Sequence, residues 1–393
     1  MKKSNQWVNL CFLLGILLFL LAGLARTLLL PKDINYYENR YAYTVGELSS
    51  ESLLSGTFQD SVEKALSDQV PLAQYLKSLY HRLSASFQIK TLEGFLEAHP
   101  DMYIKFLGNR VFGSDYIVYS PAPLEEKLSV LEPRIENINS MLDRHPELEF
   151  YVFYIEKDTD IDFSAGKSMG ISAYVQENLH LDASRFGLFQ VDDFDFFSRN
   201  FYKTDHHWNC YGSYLGYTQV AKLLCPEDEP MVPEEEKLLE YTFSGSKANT
   251  SGGGNTLKER FPAYRFVYPH MDITINGETV EDYGNQDAYW NREAALPISY
   301  GAFYGGDSGE IIFDTHRQDR ENILVLGESF DNAILKLLAS HFQKTYSVDL
   351  RNYEASMGEP FRLEEYVQAH QISKVLLIGN RDYFLSNDFM LED

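Results

Sequence analysis

The spacing of apolar positions along this 393-residue chain changes several times, and each change marks an element. The first feature is an unbroken apolar run, "WVNLCFLLGILLFLLAGLA" (7–25), continued by "RTLLLP" and preceded by Lys2 and Lys3. About 20 apolar residues match the hydrocarbon core of a bilayer. A signal peptide has a shorter apolar region, about 7 to 15 residues, before a small-residue cleavage site, which Gly23 and Ala25 could offer. Length favours an anchor over 7–30, and the two lysines favour a cytoplasmic tail over 1–6. No second run of that length follows, so the expected topology is single-pass with an extracellular catalytic domain.

Helical spacing follows. In "TFQDSVEKALSDQVPLAQYLKSLYHRLSASFQI" apolar residues recur at helical intervals, with a new helix expected at Pro71. The whole of 31–112 reads as a helical juxtamembrane segment. From 113 to 393 the pattern predicts an α/β domain. A helix is expected over "PLEEKLSVLEPRIENINSMLDRHP", then strands over "LEFYVFYIEK" and "RFGLFQVDDF". "NCYGSYLGYTQVAKLLCP" predicts a helix ended by Pro226, with Tyr214, Tyr217, Val220, Ala221 and Leu224 on one face. Residues 227–320 read as loops and short antiparallel strands. The last stretch alternates strand ("NILVLG"), helix ("ESFDNAILKLLASHF"), strand ("YSVDL"), helix ("FRLEEYVQAH") and strand ("ISKVLLIG"). Such near-continuous apolar strands separated by helices predict a parallel sheet covered on both faces.

Charge changes the picture by exclusion. With 58 acidic and 34 basic residues the net charge is -24, which is unfavourable for nucleic acid, whose phosphates need concentrated positive charge. Three cysteines make no disulfide framework. Cys11 lies in the anchor, and Cys210 and Cys225 are expected at opposite ends of one helix, about 22 Å apart and too far to bridge. No cofactor or metal is called for by a ligand-spacing motif.

The chemistry concentrates in two stretches. "VLGESFDNAIL" puts Ser329 just past a strand, where catalytic groups of open α/β sheets gather and where a helix N-terminus can stabilise an oxyanion. The plainer reading of Ser329 is a helix cap. "FYKTDHHWNCYGSY" (201–214) supplies Asp205, His206, His207 and Trp208 side by side. A serine nucleophile needs a base and the base needs an orienting acid, which His207 and Asp205 would provide. The plainer reading of Asp205 is a cap on the following helix.

"GESFD" resembles the serine block of SGNH hydrolases, and "LLIGNRDYF" their Gly-x-Asn-Asp block, matching Gly379 and Asn380. "TDHHW" closely resembles the bacterial DHHW family, and its Asp-x-His-Trp core is similar to the alginate O-acetylation proteins of the SGNH-like group. "ENRYAYT", "GTFQDSVEKALSDQVPLAQYL" and "VDLRNY" are similar to that group's signatures, so the resemblance covers nearly everything after the anchor. It implies an SGNH-hydrolase-like α/β fold: a parallel sheet flanked by helices, with permuted motif order because the Asp-His element precedes the serine. It further implies Ser329 as nucleophile, His207 as base and Asp205 as its orienting acid. Asn380, Gly379, Trp208 and Arg351 are implied at the oxyanion or substrate. The chain departs from the pattern at Glu328, where the serine block has Asp, and at Arg381, which follows Asn380 in place of Asp.

The function so implied is serine-dependent O-acyl transfer, of acetyl above all, or ester hydrolysis on a cell-surface polysaccharide, with a membrane-bound O-acyltransferase as donor partner. Two other classes compete. "DHH" also marks manganese phosphoesterases, whose further ligands would have to come from "DTDID" (158–162) and "VDDFD" (191–195). A non-catalytic glycan-binding or scaffolding protein would use Tyr289, Trp290, Tyr300 and Tyr304 for sugar stacking.

Overall fold

The structure is a computed structural model. It describes residues 7, 10–18, 34–35, 40–69, 75–76, 79–80, 83, 104–106, 109–112, 116–250, 258–295 and 297–391. Two compact units emerge, Met1–Glu97 with Ala248–Leu257, and Ala98–Lys247 with Lys258–Asp393.

In the first unit, residues 7 and 10–18 of the expected anchor are helical, and 19–30 lie outside the described residues. Among the described residues no helix is long and apolar enough to cross a membrane. The expected helix over "TFQDSVEKALSDQ" runs Thr57–Gln69, and Asp68 reaches back to accept from the Tyr43 N–H at 2.9 Å. Beyond Pro71 only scattered positions are described.

The segment 31–112 is not helical throughout, which corrects the expectation. A three-stranded antiparallel ribbon, Ile104–Phe106, Asn109–Phe112 and Tyr116–Tyr119, belongs to the second unit and crosses the boundary expected at 112/113. Here "YIKF", "NRVF" and "YIVY" favour extended backbone through their β-branched and aromatic residues, and neighbouring strands satisfy each other's N–H and C=O groups.

The second unit is organised by one eight-stranded sheet. Its strands in chain order are β1 Glu149–Ile155, β2 Phe186–Phe189, β3 Asp272–Ile275, β4 Glu278–Val280, β5 Glu310–Asp314, β6 Ile323–Leu326, β7 Lys344–Val348 and β8 Lys374–Asn380. Their order across the sheet is β4-β3-β5-β7-β6-β8-β1-β2. β7, β6, β8, β1 and β2 pair in parallel, as predicted from their apolar runs. β5, β3 and β4 add antiparallel strands beyond β7, so part of the 227–320 region joins the main sheet.

Both faces of the parallel part are buried because successive side chains along each strand go to opposite sides. Ile323 and Val325 pack into one core and Leu324 and Leu326 into the other. The first core is closed by Tyr217, Val220, Ala221 and Leu224 of helix α2 (Cys210–Leu224) and by α3 (Leu335–Ala339). The second is closed by α1 (Leu128–Arg144), α4 (Leu363–His370) and α5 (Arg381–Ser386). Cys210 and Cys225 are free, at the two ends of α2.

One expected helix is broken. "ESFDNAILKLLASHF" forms a 3-10 turn, Asp331–Ala333, and then the short α3. In a continuous helix the Phe330 carbonyl would accept from the Ile334 N–H. Here Trp208 Nε1 and the Tyr300 hydroxyl donate to that carbonyl at 3.0 and 3.1 Å, and Ile334 donates to Asp331 instead. A tertiary bond to the backbone overrides the local helical pattern.

Trp208 is itself lodged against α2. A β-carbon at Gly216 would overlap the indole ring, and one at Gly212 would overlap the Asn200 carbonyl. Gly216→Ala is therefore expected to destabilise the protein by about 1–3 kcal/mol, the usual cost of overpacking a filled core. That is opposite in sign to the gain alanine ordinarily brings in a helix interior. Chemical denaturation of the variant beside the wild type measures it, and an unchanged or raised midpoint would refute the close packing.

Candidate active site

The stretch 201–209 folds into a tight turn before α2. Phe201 and Trp208 form an antiparallel bridge, and Asn209 donates from its N–H to the Asn200 carbonyl at 2.8 Å. Asn209 caps α2, its Oδ1 accepting from the N–H groups of Tyr211 and Gly212. The cap expected of Asp205 is thus supplied by Asn209. Glu259 clamps the other side of the turn, accepting from the N–H groups of Lys203 and Thr204 and from the Thr204 hydroxyl.

This releases Asp205 to act on His207. Asp205 Oδ1 accepts from His207 Nδ1 at 2.6 Å and from the His207 N–H at 3.0 Å, while Oδ2 accepts from the Ser246 N–H at 2.8 Å. Burial alone would raise this carboxyl, but His207, His206 and the Ser246 N–H outweigh it and hold it well below the ordinary carboxylate range. With Nδ1 donating to Asp205, Nε2 is left as the acceptor. The Ser329 hydroxyl donates to it at 2.8 Å. Ser329 lies past the end of β6, partly exposed, and caps no helix. Among the described residues no oxygen accepts from the Ser329 N–H, which leaves a backbone donor beside the hydroxyl.

The aromatic surroundings fix the imidazole plane. Tyr300 stacks on His207 with centroids 3.8 Å apart and planes 2° from parallel, and Phe330 lies 4.9 Å away. Trp208, implied at the substrate, is instead fully buried, with Nε1 directed to Phe330 and Tyr300. It holds the two turns together and offers no face to a ligand. Tyr289, Trp290, Tyr300 and Tyr304 are likewise buried, so they form core and not the sugar platform that a glycan-binding reading needs.

His206 is the more accessible imidazole. Its ring lies 3.8 Å from that of His207, and its Nδ1 is 2.6 Å from Ser246 Oγ. Burial, with His207, Lys157 and Lys247 nearby, holds it well below its ordinary value against the pull of Asp205.

The remaining expected residues surround the serine loop from beneath. Asn380, at the end of β8, caps α5 by accepting from the Asp382 N–H and donates from Nδ2 to Glu328 at 2.6 Å. Its amide is engaged with that carboxyl beside the nucleophile. Gly379 lies against the Tyr383 ring, where any β-carbon would overlap. Arg351 is bound by Asp349 and Asp307, with Glu328 at 3.6 Å. Lys157, after β1, pairs with Asp382 at 2.7 Å.

Several of the aspartates proposed for a metal are engaged otherwise. Asp158 pairs with Lys247, Asp160 accepts from the Tyr154 hydroxyl, and Asp193 caps the helix Phe194–Asn200. Sequence reading missed Ser246, Phe330, Lys157 and Lys247, and gave Tyr300 to sugar stacking where it stacks on His207. Ser246 had a local sign, the "SGS" in which Gly245 lets the chain approach Asp205 where a β-carbon would collide.

Glu328 gives a pH test. Burial, with Asp382 adding, raises its carboxyl to about 7 against Lys157, Arg351 and Asn380. A raised carboxyl binds its proton more tightly folded than unfolded, so its contribution to stability falls as pH rises from its ordinary 4.5 to about 7. Glu328→Gln keeps the acceptor for Asn380 and removes the titration. Relative to wild type the variant should gain stability steadily over that window, measured by denaturant titration at several pH values. A constant difference would contradict the assignment.

No family model and no curated protein matches the sequence. Among solved structures, the chain is similar to Bacillus cereus PatB1 with a sulfonyl adduct, at 18% identity and a TM-score of 0.53, over 72% of this chain and 97% of that one. It is also similar to a DHHW family protein from Eubacterium siraeum, at 12% identity and a TM-score of 0.56, over 73% of this chain and 95% of that one. At these identities the likeness is one of fold: an α/β unit with a mainly parallel sheet flanked by helices, as the apolar runs predicted.

Proposed function

We propose that this protein transfers O-acyl groups, acetyl above all, through a covalent Ser329 ester, and that its acceptor is a hydroxyl of a cell-surface polysaccharide. The observation that carries the reading is the unbroken line from Asp205 through His207 to Ser329, at 2.6 and 2.8 Å. Ser329 Oγ attacks the acyl carbonyl of a donor ester as its proton passes to His207 Nε2. The tetrahedral intermediate collapses, the donor alcohol leaves with that proton, and the acyl group stays on Ser329. An acceptor hydroxyl then gives its proton to His207 and takes the acyl group, regenerating the serine. Water in place of the sugar makes the same chain an esterase.

Asp205 fixes the tautomer and stabilises the imidazolium formed in each step. The Ser329 N–H is the donor in reach of the developing oxyanion. A membrane-bound O-acyltransferase as donor belongs to this proposal through the sequence resemblance, and an anchor over 7–30 with an extracellular active site through the apolar run and the two lysines before it. The metal-phosphoesterase and glycan-binding readings are less well supported, because their expected ligands and stacking faces are engaged or buried.

The test uses the full chain, a chromogenic acetyl ester with and without glycan acceptor, and a sulfonyl fluoride probe, chosen because PatB1 carries a sulfonyl adduct. The probe should modify Ser329, located by peptide mass spectrometry. His207→Ala should lower turnover by roughly 10²–10⁴-fold, the usual worth of general acid–base catalysis. His206→Ala should retain measurable turnover. Labelling elsewhere, or the reverse ranking of the two histidines, would overturn the assignment. Loss of activity in a chelator with Ser329 unlabelled would favour a metal-dependent phosphoesterase.

A further inference from the structure

At the opposite end of the sheet, the antiparallel strands bring together a second group of titratable side chains. The register of β5 against β7 sets Glu310 beside Val348 and Asp314 beside Lys344. Val348 ends β7 on the side of Ser329, so Asp314 lies at the far end. There Asp272, the first residue of β3, is the direct cross-strand partner of Asp314. Two carboxylates in directly opposed positions repel. Lys344 answers one of them, pairing with Asp314 Oδ2 at 2.9 Å. The other, Asp272, faces two imidazoles: His316 Nε2 at 2.8 Å from Oδ2, and His270 Nε2 at 3.6 Å from Oδ1.

We propose that His270, Asp272 and His316 form a surface site for a divalent transition-metal ion of the zinc class, with water completing its coordination. One ligand atom from each residue lies within 4.8 Å of the others. Tetrahedral ligands at zinc distances of about 2.0–2.1 Å are about 3.3 Å apart, and the two imidazole nitrogens lie 2.8 and 3.6 Å from the two oxygens of the one carboxylate. Two imidazoles and one carboxylate are a donor set suited to zinc, and imidazole also suits copper and nickel. Asp314 supplies the outer support such sites use, its Oδ1 3.5 Å from His316 Nδ1, opposite the ligating nitrogen.

The backbone adds to the placement. His316 adopts a left-handed conformation, φ 59°, and its N–H donates to Asp314 Oδ1 at 2.8 Å, which turns the ring back over β3. The rings of His270 and His316 lie 6.2 Å apart and 21° from parallel. All three ligands are open to solvent, so an ion can reach them directly.

The experiment titrates zinc into the chelator-stripped full chain by calorimetry, with cobalt absorption reporting the geometry. Wild type should bind zinc and show a raised thermal midpoint with it. His270→Ala and His316→Asn should each weaken binding at least tenfold, and together abolish it. Asparagine is chosen at 316 because it tolerates the left-handed region. In chelator the variants should melt with the wild type, which separates ligand loss from misfolding. Undiminished zinc affinity in the double variant would overturn the proposal. So would binding lost on His206→Ala but kept in the double variant, which would put the ion on the Asp205–His206–His207 group.

Discussion

The hydrogen bond from the Trp208 indole to the Phe330 carbonyl is the constraint on which the catalytic geometry depends. It joins the turn carrying Asp205 and His207 to the turn carrying Ser329, two segments far apart in sequence. Taking the Phe330 carbonyl also prevents a regular helix from starting there, and the chain instead forms a 3-10 turn. Tyr300 donates to the same carbonyl while its ring lies flat against His207. One acceptor therefore positions the nucleophile loop, the base and the aromatic wall behind it.

That arrangement is held in a filled interior. Gly216 leaves the space the Trp208 ring occupies, Gly212 leaves room for the Asn200 carbonyl, and Gly245 leaves the space in which the Ser246 N–H reaches Asp205. Asp205 is consequently satisfied on both oxygens, three donors on a buried carboxylate, which favours its ionised form. An ionised Asp205 is what the imidazole needs when it takes up a proton. Packing and chemistry meet in the same few atoms.

Charge beneath the serine loop follows a different logic. Glu328, Asp307 and Asp349 gather around Arg351, and Lys157 pairs with Asp382 nearby. Burial disfavours the charged form and so raises the carboxyls of Glu328 and Asp331, and at Asp331 the neighbouring Asp349 and Asp307 add to the rise. Asn380 is drawn into this network through Glu328.

The sequence by itself determined the parts whose physics is local or periodic. Apolar runs at β6, β7 and β8 separated by helical spacing dictate a parallel sheet, because strands buried on both faces need such runs. A parallel sheet in turn puts Ser329 at the carboxyl end of a strand. "TDHHW" placed acid and base two residues apart, which is enough for Asp205 to reach Nδ1. Tertiary structure alone decided what depends on contacts between distant segments. It made Trp208 a buried strut, turned Tyr289, Trp290, Tyr300 and Tyr304 into core, and gave the Asn380 amide to Glu328. It also carried the ribbon at 104–119 across an expected boundary, and set β5 and β3 on the main sheet. Periodicity reports which face of an element is buried, but not which partner buries it; the Phe330 carbonyl, with no side-chain signature at all, could be found only by where Trp208 points.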